Sequence, residues 1–245
     1  MAMRTLILIT GAAFVLSCTS EASTPKHGSR TVVLELFTSQ GCSSCPPADR
    51  LLSKLRTDDF AGRTVIPLAY HVDYWNHLGW RDPFSSAQWS NRQRAYAQAM
   101  RSSQVFTPQL VINGRESFVG SAESAIRAAI DRQLERDDQG TIAIEKVTRD
   151  GNTMRVDVRA TTTAKANVVV VLFENGITTD VRSGENANHR LTDDAIVRWE
   201  GNAAQGPVAI PLDPAWKQIG VAAFLQDPKS LEIYASTAWK SPAGN

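Results

Sequence analysis

The order of hydrophobic and polar positions predicts alternating strands and helices in the first half of the chain. An apolar and β-branched run at residues 31–37 favours a strand. The segment that follows this strand has apolar residues at helical spacing, which places them on one face of a helix: Ala48, Leu51, Leu52 and Leu55. Residues 64–70 favour a second strand. Asp82 followed by Pro83 is typical of a helix start, which predicts a helix to about residue 101.

A hairpin and a third helix are predicted next. Asn113 and Gly114 separate two short strand-like runs, and this pair favours the positive φ angles of a tight hairpin turn. Ser121 is a candidate cap for the helix that follows. Apolar residues there have helical spacing, at Ala122, Ile126, Ile130 and Leu134. The predicted order of this half is therefore strand, helix, strand, helix, strand, strand, helix.

From residue 140 the pattern changes to short strands with turn residues between them. Met154, Val156 and Val158 alternate with charged residues, which is the period of a strand with one buried face. Further strands are predicted at residues 142–147, 167–174, 195–200, 207–211, 220–225 and 231–236. We therefore expect a small antiparallel, sandwich-like β domain at residues 140–240, separated by a charged stretch from a first domain at residues 31–136.

The N-terminus has the pattern of an export signal at residues 1–18. Arg4 precedes an apolar run at residues 5–16, which is too short to cross a bilayer. The end of this run resembles a bacterial lipoprotein box, in which Cys18 would carry a lipid, and ordinary cleavage near residues 20–23 is the alternative. Residues 19–30 form a polar tether. We expect the folded part outside the cytoplasm, in the periplasm or anchored as a lipoprotein.

The composition excludes some classes of function but does not indicate one. The 245 residues include 26 basic and 25 acidic side chains, so the net charge of +1 gives no field that would attract a nucleic acid. The chain is long enough to bury a core without disulfide or metal staples. It has only 3 cysteines. Because two of them are close in sequence, the thiols point to chemistry rather than to a framework of bridges.

Cys42 and Cys45 form a C-x-x-C motif between the first predicted strand and the first predicted helix. Sulfur atoms at this spacing reach each other across one helical turn. The first sulfur also faces the unpaired NH groups at the helix start, which favours a thiolate. We expect Cys42 to attack a partner and Cys45 to resolve the mixed disulfide.

Two other interpretations of this pair are a zinc site and an inert structural disulfide. Zinc needs two more ligands, and no second C-x-x-C or suitably spaced histidine pair supplies them. A structural disulfide needs no further residue and stays open. Thr107 and Pro108 precede the third predicted strand, where a proline can hold a cis peptide bond or simply limit the strand.

Long strings of the sequence resemble an uncharacterised family of secreted bacterial proteins, the domain of unknown function numbered 1223. The strings are LELFTSQGCSSCPPAD, YHVDYWNHLGWRDPF, RQRAY, TPQLVING and VRSGEN. The first half also resembles a thioredoxin-like domain, and Thr107 with Pro108 is similar to its cis-proline loop. This resemblance implies an α/β thioredoxin-like domain followed by the small antiparallel β domain, with Thr107 and Pro108 shaping a substrate groove. The family supplies no established substrate.

Glu35 is the candidate proton acceptor beneath the cysteines. It lies in the first predicted strand, before Cys42, and the resemblance to thioredoxins implies a buried acid that accepts the proton of the resolving thiol. The aspartate of that family lies one residue closer to its first cysteine. The alternation of strand side chains equally predicts that Glu35 faces solvent or a salt bridge.

His71, Asp73 and His77 form the other group of potential metal ligands, and they follow the second predicted strand. Copper carriers with a thioredoxin-like fold use two cysteines and a histidine, so copper binding by the C-x-x-C with His71 or His77 is an alternative. Packing and hydrogen bonding are the ordinary roles of such histidines. Residues 182–186 have the small, polar make-up of a binding loop or of a plain surface turn.

The sequence therefore predicts an exported thiol–disulfide oxidoreductase. Cys42, Cys45 and Glu35 would carry the reaction, and Thr107 and Pro108 would bind the substrate. The expected partners are protein or small-molecule thiols and disulfides, with no cofactor, no nucleic acid, and no membrane contact beyond a lipid on Cys18. The alternatives are a copper metallochaperone that uses the same cysteines and a binding module with a structural disulfide.

Overall fold

The computed structural model describes residues 31–60, 63–203 and 206–240. The predicted export signal, Cys18 and the tether lie outside these residues. In the described part of the chain, no helix has the length and apolar character needed to span a membrane.

Helices and strands follow one another much as the pattern predicts. The helices are Pro46–Leu55 (α1), Ala87–Ala99 (α2) and Glu123–Leu134 (α3). The strands of the first half are Thr31–Thr38 (β1), Thr64–His71 (β2), Gln109–Ile112 (β3) and Glu116–Val119 (β4). The later strands are Thr141–Asp150 (β5), Thr153–Thr161 (β6), Asn167–Glu174 (β7), Ile177–Asp180 (β8), Arg190–Asp193 (β9), Ile196–Asn202 (β10), Val208–Pro211 (β11), Ile219–Gln226 (β12) and Ile233–Lys240 (β13).

The predicted fold class is wrong. The structure is 43% strand and 17% helix, and its centre is one mixed sheet of eight strands in the order β13-β12-β7-β10-β2-β1-β3-β4. An α/β thioredoxin-like domain followed by a separate small β domain does not describe this sheet, because strands from both halves of the chain form it. A three-stranded sheet, β11-β6-β5, and the hairpin of β8 and β9 complete the described strands.

The junction of the two halves explains the error. Ile196 of β10 lies opposite Ala69 of β2 in parallel register, and the Ala69 N–H donates to the Ala195 carbonyl (2.8 Å). No local pattern in the sequence predicts a pairing between strands so far apart along the chain. The predicted domain limits, 31–136 and 140–240, stay a prediction, because a shared sheet does not measure whether either part folds alone.

The eight-stranded sheet has a core on each face. Alternate residues of β1 face opposite sides: Leu34 and Leu36 pack against α1 and α3, whereas Val33 and Phe37 pack on the α2 side. The α2 side is one apolar cluster that continues from β1 to the strands of the second half. On the opposite side, the three-stranded sheet covers the second half of the large sheet. The structure is therefore layered, with the sheet in the middle.

Two local predictions have different outcomes. Asn113 and Gly114 both have positive φ (47° and 66°), which confirms the tight turn. A side chain at Gly114 would also meet the Leu231 carbonyl, so glycine is required there. The predicted start of the second helix at Asp82 is wrong. The helix begins at Ala87, and Ser86 caps it by accepting the Gln88 N–H (3.1 Å).

A buried arginine joins strands of both halves under α2. Arg92 is 10% exposed and contacts the fully buried carboxylate of Glu35 (2.6 Å) and the carboxylate of Glu200 (3.1 Å). Its guanidinium also donates to Gln226 Oε1 (3.3 Å) and lies over the Tyr70 ring. One side chain of α2 thus pairs with carboxylates of β1 and β10.

Replacing Arg92 with alanine should lower the free energy of unfolding by about 3–5 kcal/mol, because it leaves the Glu35 carboxylate buried without its counter-ion. Arg94→Ala on the same helix is the matched control, since Arg94 is exposed and pairs only with the nearby Asn91 among its described side-chain contacts. Urea unfolding followed by circular dichroism measures both. Equal stability of the two variants would contradict this account.

Candidate functional site

The two neighbouring cysteines are joined in a disulfide at the turn from β1 to α1. Cys42 and Cys45 have a Cα–Cα distance of 5.5 Å, and neither residue is exposed. Cys45 is the residue before Pro46, which occupies the first turn of α1, where a missing N–H leaves no helical bond unmade. The Cys45 carbonyl accepts the first helical N–H groups, from Ala48 (2.8 Å) and Asp49 (3.1 Å). The disulfide therefore lies at the positive end of the helix.

Thr107 lies directly against Cys42. Its Oγ1 donates to Cys42 Sγ (3.3 Å) and accepts a hydrogen bond from Trp75 Nε1 (2.7 Å). The Thr107–Pro108 peptide bond is cis, which is one of the two possibilities that the sequence left open. The Ser44 hydroxyl is also 3.3 Å from Cys42 Sγ. Two hydroxyl groups thus surround the first sulfur, while the substrate-binding role of Thr107 and Pro108 stays a prediction.

Residues 182–186, here named the covering loop, lie over the turn that holds the cysteines. Asn186 is buried, and its Nδ2 donates to the carbonyls of Gln40 (2.9 Å) and Cys42 (3.0 Å). Glu185 Oε2 accepts the exposed N–H of Ser43 (2.9 Å), which lowers the pKa of Glu185. The sequence singled out this segment as a binding loop or a surface turn, and in the structure it binds the backbone of the cysteine turn.

Two glycines allow the covering loop to approach the loop that follows β2. Gly79 and Gly184 have φ of +93° and +76°, which side-chain-bearing residues rarely adopt. A Cβ atom on Gly184 would lie 2.9 Å from Trp80 Cβ. Ser183 Oγ then donates to the Gly79 carbonyl (2.5 Å). The two loops close together above the disulfide, and both cysteines are sealed from solvent in this state.

Asp49 lies one helical turn after Cys45. Helical side chains lean toward the N-terminus, so its carboxyl group lies on the side of α1 that carries Cys45. Part of the residue reaches the surface, but the carboxyl is enclosed and accepts a hydrogen bond from Thr38 Oγ1 (2.8 Å). Burial, followed by repulsion from Asp193, raises the pKa of Asp49 to about 8. The carboxyl is therefore mostly protonated at neutral pH.

Asp193 brings a second carboxyl from the other half of the chain. It is 3% exposed, and Gln40 Nε2 donates to its Oδ2 (2.8 Å). Burial raises the pKa of Asp193 against the favourable charge of His71. Gln40 lies two residues before Cys42, so one side chain links the cysteine turn to this carboxyl.

His71 and Asp82 form a buried pair beside the two carboxyls. His71 Nδ1 is 2.7 Å from Asp82 Oδ2, and both residues are at most 1% exposed. Burial raises the pKa of Asp82, but His71 and the N–H groups of Gln40 and Phe84 outweigh it and hold this pKa below its ordinary value. Asp82 is therefore a carboxylate that gathers several donors, which explains why it does not cap α2.

Glu35 lies on the face of β1 that packs against α2, opposite to the face that packs against α1. Arg92 Nε donates to its Oε1 (2.7 Å) and the Tyr96 hydroxyl donates to its Oε2. Burial raises the pKa of Glu35, while Arg92 and Tyr96 lower it. Both oxygens are held by α2 rather than by groups near the cysteines. The relay role of Glu35 stays an untested prediction. The sequence interpretation missed Asp49, which lies closer to Cys45 along the chain, because it has the pattern of an ordinary acidic residue in the first turn of a helix.

The predicted metal ligands do not gather. Within the described ranges, no three His, Cys, Asp or Glu side chains stand together in an arrangement that could hold a metal ion. His71 Nδ1 is taken by Asp82, Asp73 accepts a hydrogen bond from Ser90 Oγ (2.5 Å), and His77 is exposed. Nothing in this geometry favours the copper interpretation over dithiol chemistry.

The chain is similar to a protein family and to two solved structures. The model of a family described as a protein of unknown function, DUF1223, matches residues 33–226. The crystal structure of protein AGR_C_4864 from Agrobacterium tumefaciens is similar with 30% identity and a TM-score of 0.66, over 87% of this chain and 96% of that one. HBP35 of Porphyromonas gingivalis is similar in fold alone, with 15% identity and a TM-score of 0.63, over 87% and 76% of the two chains. No curated protein matches the chain.

Replacing Asn186 with alanine should speed reduction of the disulfide by a small thiol about 30-fold, because the covering loop loses two hydrogen bonds worth roughly 1 kcal/mol each. Arg182→Ala in the same loop is the control, since its side chain is exposed. The rate is measured by quenching with an alkylating reagent and counting modified cysteines by mass. Identical rates for both variants would show that the loop does not limit access.

Proposed function

The chain belongs to the family of proteins of unknown function DUF1223, and we propose that it is a thiol–disulfide oxidoreductase that reacts through Cys42 and Cys45. The export-signal pattern at residues 1–18 supports a place of action outside the cytoplasm, where such a disulfide persists. Partners of this reaction are proteins or small molecules that carry a disulfide or a pair of thiols.

One observation carries the proposal: two enclosed carboxyl groups belong to segments joined to the cysteine turn, with Asp49 on the helix that follows Cys45 and Asp193 hydrogen-bonded to Gln40. Asp49 and Asp193 both have a raised pKa, which means that the fold keeps them enclosed at a cost in folding free energy. A purely structural disulfide requires no titratable group. Shifted carboxyls beside a potential nucleophile are typical of sites that move protons.

Cys42 is the nucleophile in this scheme. In the reduced protein, the hydroxyls of Thr107 and Ser44 can donate to a Cys42 thiolate, and the N-terminal end of α1 favours its negative charge. The thiolate attacks one sulfur of a partner disulfide. A bond forms between Cys42 and that sulfur, the partner's disulfide bond breaks, and its other sulfur leaves as a thiolate.

Cys45 completes the exchange with Asp49 as proton acceptor. In the molecules in which Asp49 is ionised, the Cys45 thiol gives its proton to the Asp49 carboxylate, and its sulfur attacks Cys42. The Cys42–Cys45 bond forms as the bond between Cys42 and the partner breaks, and the second partner thiolate is released. Two electrons have then passed from the dithiol to the partner disulfide. The pKa of about 8 for Asp49 lies near that of a thiol, which suits proton transfer between them.

The complete burial of both cysteines favours a second candidate, a binding module with a structural disulfide. The two candidates differ in what happens when the covering loop opens. An oxidoreductase reacts with partner thiols at a rate limited by that opening, whereas a structural disulfide resists thiols until the protein unfolds. The carboxyl cluster favours the first candidate.

Replacing Cys42 with serine should abolish exchange, and Cys45→Ser should accumulate a mixed disulfide on Cys42 because the resolving thiol is gone. The assay follows reduction of a disulfide-bonded test protein, with non-reducing electrophoresis to detect the trapped adduct. The double variant is the control for adduct formation at other sites. Retention of full activity by both single variants would contradict the mechanism.

Replacing Asp49 with asparagine should slow the resolving step at pH 7 by at least about tenfold, because Cys45 loses its proton acceptor. In the wild type this step should become faster as pH rises through about 8, where Asp49 ionises. Asp150→Asn, an exposed acid at the end of β5, is the control. A resolving step with an unchanged rate and pH profile in Asp49→Asn would exclude Asp49.

The same variant gives a stability test that needs no substrate. Folding raises the pKa of Asp49 from 3.8 to about 8, so the unfolded chain releases this proton first. The stabilisation is complete below pH 4 and is lost as pH rises to about 8. Asp49→Asn should flatten this decline in the unfolding free energy of the oxidised protein.

A further inference from the structure

His71 is a buried imidazole that the exchange scheme above does not use. It is 1% exposed, at the carboxyl end of β2, and lies opposite Thr38 of β1 in parallel register. Its Nδ1 is fixed by Asp82 (2.7 Å). Its Nε2 is buried and has no hydrogen-bond partner among the described residues. Buried ring nitrogens are nearly always paired, so this atom requires an explanation.

The groups around His71 come from three different segments. Asp82 lies in the loop after β2, Asp49 on α1, and Asp193 at the end of β9. All three carboxyl groups act on the imidazole. Burial lowers the pKa of His71, but these carboxyls outweigh it and raise the pKa to about 9. Asp194, the neighbour of Asp193, is paired with Arg56 (3.5 Å).

Gln40 holds these segments together. Its backbone N–H donates to Asp82 Oδ2 (2.8 Å), the same oxygen that pairs with His71. Its side-chain amide donates to Asp193 (2.8 Å). On the other side, Thr38 beside His71 donates to Asp49. The imidazole is therefore enclosed by carboxyl groups that the residues flanking the cysteine turn keep in place.

We propose that His71 is a positioning residue for the exchange reaction, a buried cation that allows Asp49 to release and take up a proton near neutral pH. This inference rests on the proposed oxidoreductase function. Two neighbouring buried carboxyls resist ionisation because their charges repel each other. The charge of an imidazolium at His71 favours the Asp49 carboxylate more than the charge of Asp82 disfavours it. His71 acts through Asp49, and it is Asp49 that receives the Cys45 proton.

The first test compares His71→Gln with His77→Gln, an exposed histidine in the following loop. In the His71→Gln variant, the new side chain retains an amide that can donate to Asp82 but carries no charge. The reduced protein is mixed with an aromatic disulfide that releases one coloured thiolate when Cys42 attacks and a second when Cys45 resolves. The second release is followed by stopped flow from pH 5 to pH 10, values that bracket the transition expected of Asp49.

Loss of the cation makes the Asp49 carboxylate less favourable, so its pKa rises. For His71→Gln the midpoint of the resolving step should move to higher pH by roughly one pH unit, with about a tenfold slower step at pH 7. The first release should keep its wild-type rate, and His77→Gln should match the wild type in both steps. An unchanged midpoint in His71→Gln would overturn the inference.

The second test reads the charge of His71 directly and does not depend on activity or on a variant that folds. The chain has 4 histidines, so nitrogen-15 NMR of the oxidised wild type can assign the His71 ring. Both ring nitrogens should be protonated at pH 7, and the ring should lose one proton near pH 9. A neutral ring at pH 7 in an active protein would overturn this role alone. Absence of exchange in the wild type would instead overturn the proposed function together with it.

Discussion

The pairing of β10 with β2 is the constraint on which the site depends. The Ala69 N–H donates to the Ala195 carbonyl (2.8 Å), and this contact fixes the chain just before β10 beside the carboxyl end of β2. Asp193 lies two residues before Ala195, and the covering loop lies between β8 and β9. A single strand pairing therefore places both the Asp193 carboxyl group and the covering loop near the cysteine turn. The half of the chain without the disulfide supplies part of its surroundings.

Two buried charge clusters lie on different sides of this arrangement, and their charges are balanced differently. Under α2, one arginine faces Glu35 and Glu200 at contact distance, so the charged groups hold one another in fixed geometry. Behind the disulfide, three carboxyls face a single imidazole. Burial, followed by repulsion from Asp193, raises the pKa of Asp49, and protonation relieves the excess negative charge there. The first cluster is a set of fixed ion pairs, while the second is the one to which the proposed function gives a proton to exchange.

Local features of the sequence predict the reactive turn but not its surroundings. The disulfide follows from the spacing of Cys42 and Cys45 between a strand and a helix, and the tight turn at Asn113 follows from its neighbour glycine. Asp82 has the pattern of a helix cap, but its carboxylate instead binds groups far away in sequence. Asp193 approaches the site only through the β10–β2 pairing. The fold class was mistaken for the same reason, since strand order in a sheet depends on contacts that short-range periodicity does not encode.

The closed state and the proposed reaction are compatible in energy. The buried part of the cover consists mainly of the two hydrogen bonds of Asn186, which contribute roughly 1 kcal/mol each. Local opening at a cost of about 2 kcal/mol is far below the 5–15 kcal/mol typical of global unfolding, and it leaves roughly one molecule in 30 open at any time. A partner that binds the open state draws the equilibrium toward it. In the proposed reaction, burial of the disulfide would limit the rate of exchange with free thiols, and a partner that holds the covering loop aside would reach the sulfur atoms.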